Sequence, residues 1–442
     1  MKKSYSEVTK QSWILNRKGR FNLGYLRDMK ILFSGISKLY GTSRQVRFGS
    51  QMDEVKSILN ASILVENGRV LAVTSEDISD QADQVINLNG AEVMPGFVDS
   101  HTHTVFAVPR EEEFVMRLKG ASYEEIAAAG GGILNSAQKL RRTSEDELFD
   151  AASVRVRNMI AQGTTALEIK SGYGLSVDAE IKMLRVIKKL KESFPITIRA
   201  TFLGAHAFPK EYKEKTDDYV DLVVKDMLPI IAAEELADHI DVFCERGFFS
   251  SDQANRVIEV GAKYGLPSKI HGNQLAVSGG VQVAVRNQSW SVDHLEHCTE
   301  VEWNLLKNSF DEDGNGTMPV VLPGVSYYLD LPYAPAREMI DYGLPVVLAT
   351  DFNPGSSPVH SLQTVQSLAC TQMKMTPEEA FNAVTINAAR SLRLEDEVGS
   401  ITVGSRADFL VMNQQNALQR IPYYLGQNLV KEVYIGGVKF DL

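Results

Sequence analysis

Between residues 96 and 349 the chain repeats one theme eight times: a short, almost unbroken apolar run, then a longer segment of helical character. The apolar runs fall at 96–100, 165–169, 196–203, 240–244, 268–270, 291–292, 319–322 and 346–349. A run without polar alternation fits a strand covered on both faces, and strands separated by helices pair in parallel. The helices carry readable starts. Ser144 with Glu147 makes a capping box ahead of Phe149, Ala152, Val156, Met159 and Ile160, and Thr376-Pro377-Glu378-Glu379 joins a cap, a first-position proline and an acidic first turn. Eight such units predict an α/β fold, a (β/α)8 barrel over 96–397 with its chemistry at the C-terminal ends of the strands.

At 442 residues the chain outruns the roughly 250 residues of such a barrel, so a second, smaller domain is expected. Short β-type pieces lie at 31–33, 61–65, 69–73 after the Asn67-Gly68 turn, and 84–88, and comparable ones at 400–411 and 430–438. Both ends, 29–95 and 398–442, are therefore expected to fold together as a small β-sandwich. Residues 1–28 have no clear period and are read as an N-terminal extension, with Met29 an alternative start.

A formal net charge of −10, with no basic run interleaved with aromatics, argues against nucleic acid and acidic membranes and for a small-molecule substrate. No stretch reaches the ~20 apolar residues of a membrane span. Cys244, Cys298 and Cys370 are too few for a disulfide framework, and the polar, basic N-terminus lacks the apolar run of a secretory signal, so a cytoplasmic protein is expected.

The ends of the strand segments carry the chemistry. The first ends in His101-Thr102-His103, the third in His206, the fifth in His271, the sixth in Asp293-His294, and the eighth in Thr350-Asp351. Side chains two apart on a strand share a face, so His101 and His103 can reach one point. Five of the eight histidines and an aspartate on one rim suit a zinc or ferrous/ferric ion with a position left for water. His239, His297 and His360 fall off the pattern. Asp311-Glu312-Asp313-Gly314-Asn315-Gly316 imitates a calcium loop but has Leu322 at its twelfth position, so a solvated turn is expected. Gly130-Gly131-Gly132 lacks the Lys-Ser/Thr of a phosphate loop, and a flexible segment over the barrel mouth is expected there.

The run Pro95-Gly96-Phe97-Val98-Asp99-Ser100-His101-Thr102-His103, the strand-end His271 and His294, Thr350-Asp351 and Gly404-Ser405-Arg406-Ala407-Asp408 resemble the amidohydrolase superfamily. More narrowly, Glu168-Ile169-Lys170-Ser171-Gly172-Tyr173-Gly174-Leu175, Gly130-Gly131-Gly132-Ile133, Gly204-Ala205-His206-Ala207 and Asp351-Phe352-Asn353-Pro354-Gly355-Ser356-Ser357 resemble the imidazolonepropionase family of histidine degradation, from about Met29 to the C-terminus.

That resemblance implies one Zn2+ or Fe2+/Fe3+ held by His101, His103, His271 and Asp351. Binuclear relatives carry a carboxylated lysine after the fourth strand, where this chain has Phe243-Cys244-Glu245-Arg246. It further implies hydrolysis of the cyclic amide of 4-imidazolone-5-propanoate to N-formimidoyl-L-glutamate, with hydroxide supplied at the metal, Asp351 moving the proton and His294 stabilising the oxyanion. Arg110 would grip the propionate. On the residues alone, a solvated arginine beside Glu111, Glu112 and Glu113 is the simpler account. Tyr173, His206 and Tyr123 would contact ring or carboxylate, and Asn353, Gly355 and Ser356 form a turn whose donors suit substrate. Gln274 stands where deaminase-like relatives carry a proton-shuttling Glu; it cannot act as a base, which weakens the alternative of a metal-dependent deaminase of a heterocyclic amidine. A non-catalytic scaffold is disfavoured because every expected ligand is present. A homodimer is expected.

Overall fold

The computed structural model describes residues 29–121, 125 and 131–441. The first strands are β1 (Lys30–Tyr40), β2 (Ser57–Glu66), β3 (Arg69–Thr74) and β4 (Gln84–Pro95). Asn67 (φ +53°) and Gly68 (φ +77°) join β2 to β3 with both turn residues at positive φ, as Asn-Gly hairpins do.

Eight parallel strands follow: β5 (Phe97–Asp99), β6 (Thr164–Lys170), β7 (Thr197–Ala205), β8 (His239–Cys244), β9 (Ser268–Gly272), β10 (Ser291–His294), β11 (Met318–Val321) and β12 (Val347–Leu348). Each coincides with one of the eight apolar runs, and β6, β8 and β9 are buried at every position, as strands covered on both faces must be. The capping boxes at Ser144/Glu147 and Thr376/Glu379 are both formed.

The chain then returns to the first sheet with β13 (Phe409–Met412), β14 (Val430–Ile435) and β15 (Val438–Lys439). β13 lies antiparallel to β4, and β4 parallel to β1, so strands from opposite ends meet in the order β15-β14-β13-β4-β1-β2-β3. The small domain is one hydrogen-bonded mixed sheet with a core of its own. In that core Phe409 packs edge-on to Phe33 (ring centres 4.9 Å apart) and flat against Tyr434 (4.8 Å). Each such buried side chain contributes roughly 1.5–3 kcal/mol.

The barrel ladder runs from β5 round to β12, and the seam between these two closes just past their ends. Asp351 N donates to His101 O (3.0 Å) and His103 N to Phe352 O (2.9 Å), while Asp99 accepts from the Thr350 amide (3.1 Å) and hydroxyl (2.7 Å). Closing the cylinder therefore brings Asp351, three residues past β12, beside the two histidines after β5. Among the described residues no helix is long and apolar enough to cross a membrane. The Asp311 carboxylate accepts from the Asp313 and Asn315 amides in an exposed turn.

Candidate metal centre and substrate cavity

His101, His103 and Asp351 meet at the seam. Asp351 Oδ1 lies 3.4 Å from His101 Nε2 and 3.3 Å from His103 Nε2, and ligand atoms of all three fall within 4.8 Å of one another. His101, His271 and His294 make a second such trio sharing His101, with ring centres 4.4 Å apart for His101 and His271 and 5.3 Å for His271 and His294. Two of these residues take backbone conformations that cost an L-residue energy, Asp351 at φ +48° and His294 at φ +90°.

A layer of buried charge sits beneath. Asp293 Oδ2 holds His101 Nδ1 at 2.6 Å, and Asp241 Oδ2 lies 2.9 Å from His271 Nδ1. His101 thus has its Nδ1 hydrogen-bonded and its Nε2 facing Asp351, the arrangement of a metal-ligating histidine, and His271 Nδ1 faces a carboxylate in the same way. Lys170 Nζ bridges Asp241 (2.8 Å) and Glu168 (3.0 Å), and Lys269 Nζ lies 3.5 Å from Glu168 and 3.6 Å from Asp293; these five side chains are fully buried. Burial alone would protonate the carboxylates and discharge the amine. Instead His271 and Lys170 hold Asp241 well below the usual carboxylate range, Lys269 and His101 lower Asp293, and Asp241, Glu168 and Asp293 raise Lys170. Asp351 is likewise held ionised, against burial, by the His101 and His103 imidazoles beside it.

His101 Nε2, His271 Nε2 and Asp351 Oδ1 are buried without a hydrogen-bond partner. Buried polar atoms are normally satisfied, and two imidazole nitrogens with a carboxylate oxygen are the donor set a cation such as zinc or iron takes up. The residues fit a metal ion.

Above this cluster lies a small chamber of about 50 Å³ lined by His103, Tyr173, His206, His271, Gln274, His294, Asp351 and Asn353 among others. A cavity of about 250 Å³ shares Tyr173, His206, Gln274 and Asn353 with it and adds Arg110, Glu113, Arg117, Gly132, Ile133 and Gly355. Every expected site residue that is described therefore borders one of these spaces or the histidine cluster; Tyr123 and Gly130 lie outside the described residues. Gly132 opens the helix Gly132–Arg142 at the cavity wall.

Glu180 accepts from the amides of Gly172, Gly174 and Leu175, fixing the loop that carries Tyr173. Gly172 takes φ +109°, and a Cβ there would come 2.8 Å from His206 Nδ1, so only glycine fits. The Gly172 carbonyl can only accept, so at 3.0 Å it fixes His206 as the Nδ1–H tautomer. Burial and the neighbouring His103 push His206 down to about 3, leaving it neutral, and burial pushes Tyr173 up, keeping its phenol protonated.

Asn353 donates to Asp351 Oδ2 (3.0 Å), and its oxygen accepts from the Gly355 and Ser356 amides (both 2.8 Å). Those amides serve the turn that orients Asp351. Arg110 is not a solvated arginine: its side chain is 17% exposed and is gripped by Glu113.

Sequence reading gave no role to Asp241, Asp293, Lys170, Lys269 or Glu113. Lys170, Lys269 and Asp293 carried a signal, since Glu168/Lys170, Lys269/His271 and Ser291/Asp293 sit two apart on strands and must share the barrel's interior face. Glu113 carried none, being the third of three consecutive glutamates.

Residues 93–439 match the model of the amidohydrolase family. Imidazolonepropionase of Flavobacterium johnsoniae is 49% identical over 391 residues, 88% of this chain and 94% of that protein. The chain belongs to the imidazolonepropionase family. Another member, from Geobacillus kaustophilus, is 43% identical over 90% of this chain and 94% of its own length. Among solved structures, guanine deaminases of E. coli (TM-score 0.71, 14% identity, 93% of this chain and 99% of that one) and C. acetobutylicum (0.65, 18%, 93% and 99%) share the fold. For an imidazolonepropionase-family barrel with this His/Asp cluster, a bound metal ion is the expected partner of the site.

Proposed function

We propose that the protein hydrolyses the ring amide of 4-imidazolone-5-propanoate to N-formimidoyl-L-glutamate, the third step of L-histidine degradation. The observation that carries this is the pair of trios sharing His101, one with His103 and Asp351 and one with His271 and His294, beside a cavity walled by Arg110, Tyr173 and His206. One Zn2+ or Fe2+/Fe3+ would be held by His101, His103, His271 and Asp351, and when bound it lowers the pKa of water from ~16 toward ~7. A single cation is favoured because the other carboxylate group below, Glu168 with Asp293, is already neutralised by Lys170 and Lys269, and because the end of the fourth barrel strand, Phe243-Cys244-Glu245-Arg246, offers no lysine to bridge a second ion.

Asp351 takes the proton from the attacking water, its Oδ2 kept in place by Asn353, and returns it to the ring nitrogen as the C–N bond breaks. His294 donates to the oxyanion at the former carbonyl. His206, with Nδ1 committed to Gly172, presents a bare Nε2 as acceptor for a ring N–H, and Tyr173 donates from its neutral phenol. Arg110 pairs with the propionate; Gln274, Gly355 and Ser356 complete the wall. We take 96–397 as the catalytic unit, with 29–95 and 398–442 as its flanking domain, acting as a homodimer in the cytoplasm.

With purified enzyme, imidazolone absorbance should fall as formimidoylglutamate accumulates, with no ammonia; stoichiometric ammonia would favour the deaminase. Gln274→Glu should give no large gain in turnover, since a gain would show Asp351 insufficient as base.

A further inference from the structure

Glu113 is a glutamate at the wall of the outer cavity with no part in the chemistry above. It lies in the first turn of the helix Glu111–Leu118, three residues after Arg110, and its side chain is only 12% exposed. Both oxygens are used. Oε2 accepts from Arg110 Nε (2.9 Å) and Nη2 (2.5 Å), and Oε1 accepts from the Gly132 amide (3.1 Å) at the start of the eleven-residue helix Gly132–Arg142. The Nη1 corner of the guanidinium rests against Gly355, where a Cβ would come within 2.1 Å of it. Arg110 is thus held on one edge by a carboxylate and bounded on the other by a residue too small to displace it.

Electrostatics alone does not explain a carboxylate here. A negative charge beside a carboxylate-binding arginine repels the ligand, so its presence disfavours binding unless it does something else. What it does is geometric. An arginine carries about 2 kcal/mol of rotamer entropy, and a guanidinium already locked in one orientation loses less on meeting its ligand. The helix at Gly132 faces Glu113 with its positive end, which favours the carboxylate's charge.

We propose that Glu113 is a positioning residue that sets the orientation of Arg110 and thereby the enzyme's preference for a substrate with a carboxylate side arm. This rests on the assignment of Arg110 as the propionate clamp. Glu113→Gln separates orientation from charge, because the glutamine NH2 must face either Arg110 or the Gly132 amide, donor against donor. Steady-state kinetics on the metal-loaded variant should give at least a tenfold rise in KM with kcat within threefold. Inhibition by imidazole-4-propionate should weaken by a similar factor, and inhibition by imidazole-4-propionamide should stay within twofold. Glu113→Asp, which withdraws the carboxylate by one methylene, should give a smaller change in the same direction and serves if the Gln variant does not fold.

An unchanged or lowered KM in Glu113→Gln, with Arg110→Ala still losing the propionate selectively, overturns the positioning role and leaves the clamp standing. Equal loss of both inhibitors makes Glu113 merely structural and also overturns it. If Arg110→Ala does not distinguish propionate from propionamide, the clamp itself is wrong and the proposal falls with it.

Discussion

The floor of the site and its rim are built on opposite terms. On the floor, Glu168, Lys170, Asp241, Lys269 and Asp293 stand on four strands, β6, β8, β9 and β10, fully buried, each carboxylate within 4 Å of an ammonium or imidazole. At the rim, Arg110, Glu113 and Arg117 come from one short helix and the residue before it, and remain in reach of solvent. Strand-borne groups in a dry interior fix ligand geometry at the expense of desolvation, whereas helix- and loop-borne groups at the mouth can select a substrate without straining the fold. Floor substitutions should therefore appear as lost metal or lost stability, and rim substitutions as lost affinity.

The largest effect is expected where the floor meets the cavity. His271→Ala and Asp351→Asn should each lower kcat by about a thousandfold or more, and elemental analysis should find the bound metal largely gone. Retained metal with full activity in either variant would remove that residue from the ligand set. One level down, Lys170→Met leaves Asp241 and Glu168 without their shared ammonium, and breaking a buried ion group in this way costs about 3–5 kcal/mol. Urea denaturation measures it directly. A loss under 1 kcal/mol would mean that the floor is no more demanding than a surface ion pair.

Arg110→Ala tests the other side. Removing a charge-assisted pair to the substrate is worth about 1.5–3 kcal/mol, so KM should rise about 10–100-fold with kcat little changed and the urea midpoint near that of the parent. If the midpoint falls as far as in Lys170→Met, rim and floor are not separable and the contrast fails.

The two regions were also unequally legible in the sequence. The barrel could be read because eight strands left eight uninterrupted apolar runs, and the histidine cluster because histidines stood at their ends. What no run of residues states is the seam: Asp351 reaches His101 and His103 only because β12 closes against β5, some 250 positions away in the chain. The single mixed sheet was similarly hidden, since nothing local says that β13 will pair with β4 rather than stack over it. Arg110 could not be settled from a cluster of like-charged neighbours, because which of three glutamates turns inward depends on where Gly132 lies.

The smallest expected effect uses a histidine that the catalytic pattern leaves aside. His239 begins β8, at the end of the barrel opposite the cavity, packed edge-on to Trp290 (ring centres 4.7 Å) and 3.3 Å from the Thr201 hydroxyl. Burial, with Lys269 and Arg199 nearby, holds it well below the ordinary histidine value, so it stays neutral in the fold. In the unfolded chain it titrates near 6.5. As the pH falls through 6.5 the unfolded state gains a proton that the folded state refuses, so stability drops on the acidic side, by up to about 1.4 kcal/mol per pH unit. Between pH 7 and pH 5.5 the parent should lose about 1 kcal/mol more than His239→Gln, read from urea midpoints at the two pH values. Parallel losses would mean that the histidine is charged in the fold, which a floor this dry and this close to Lys269 does not permit.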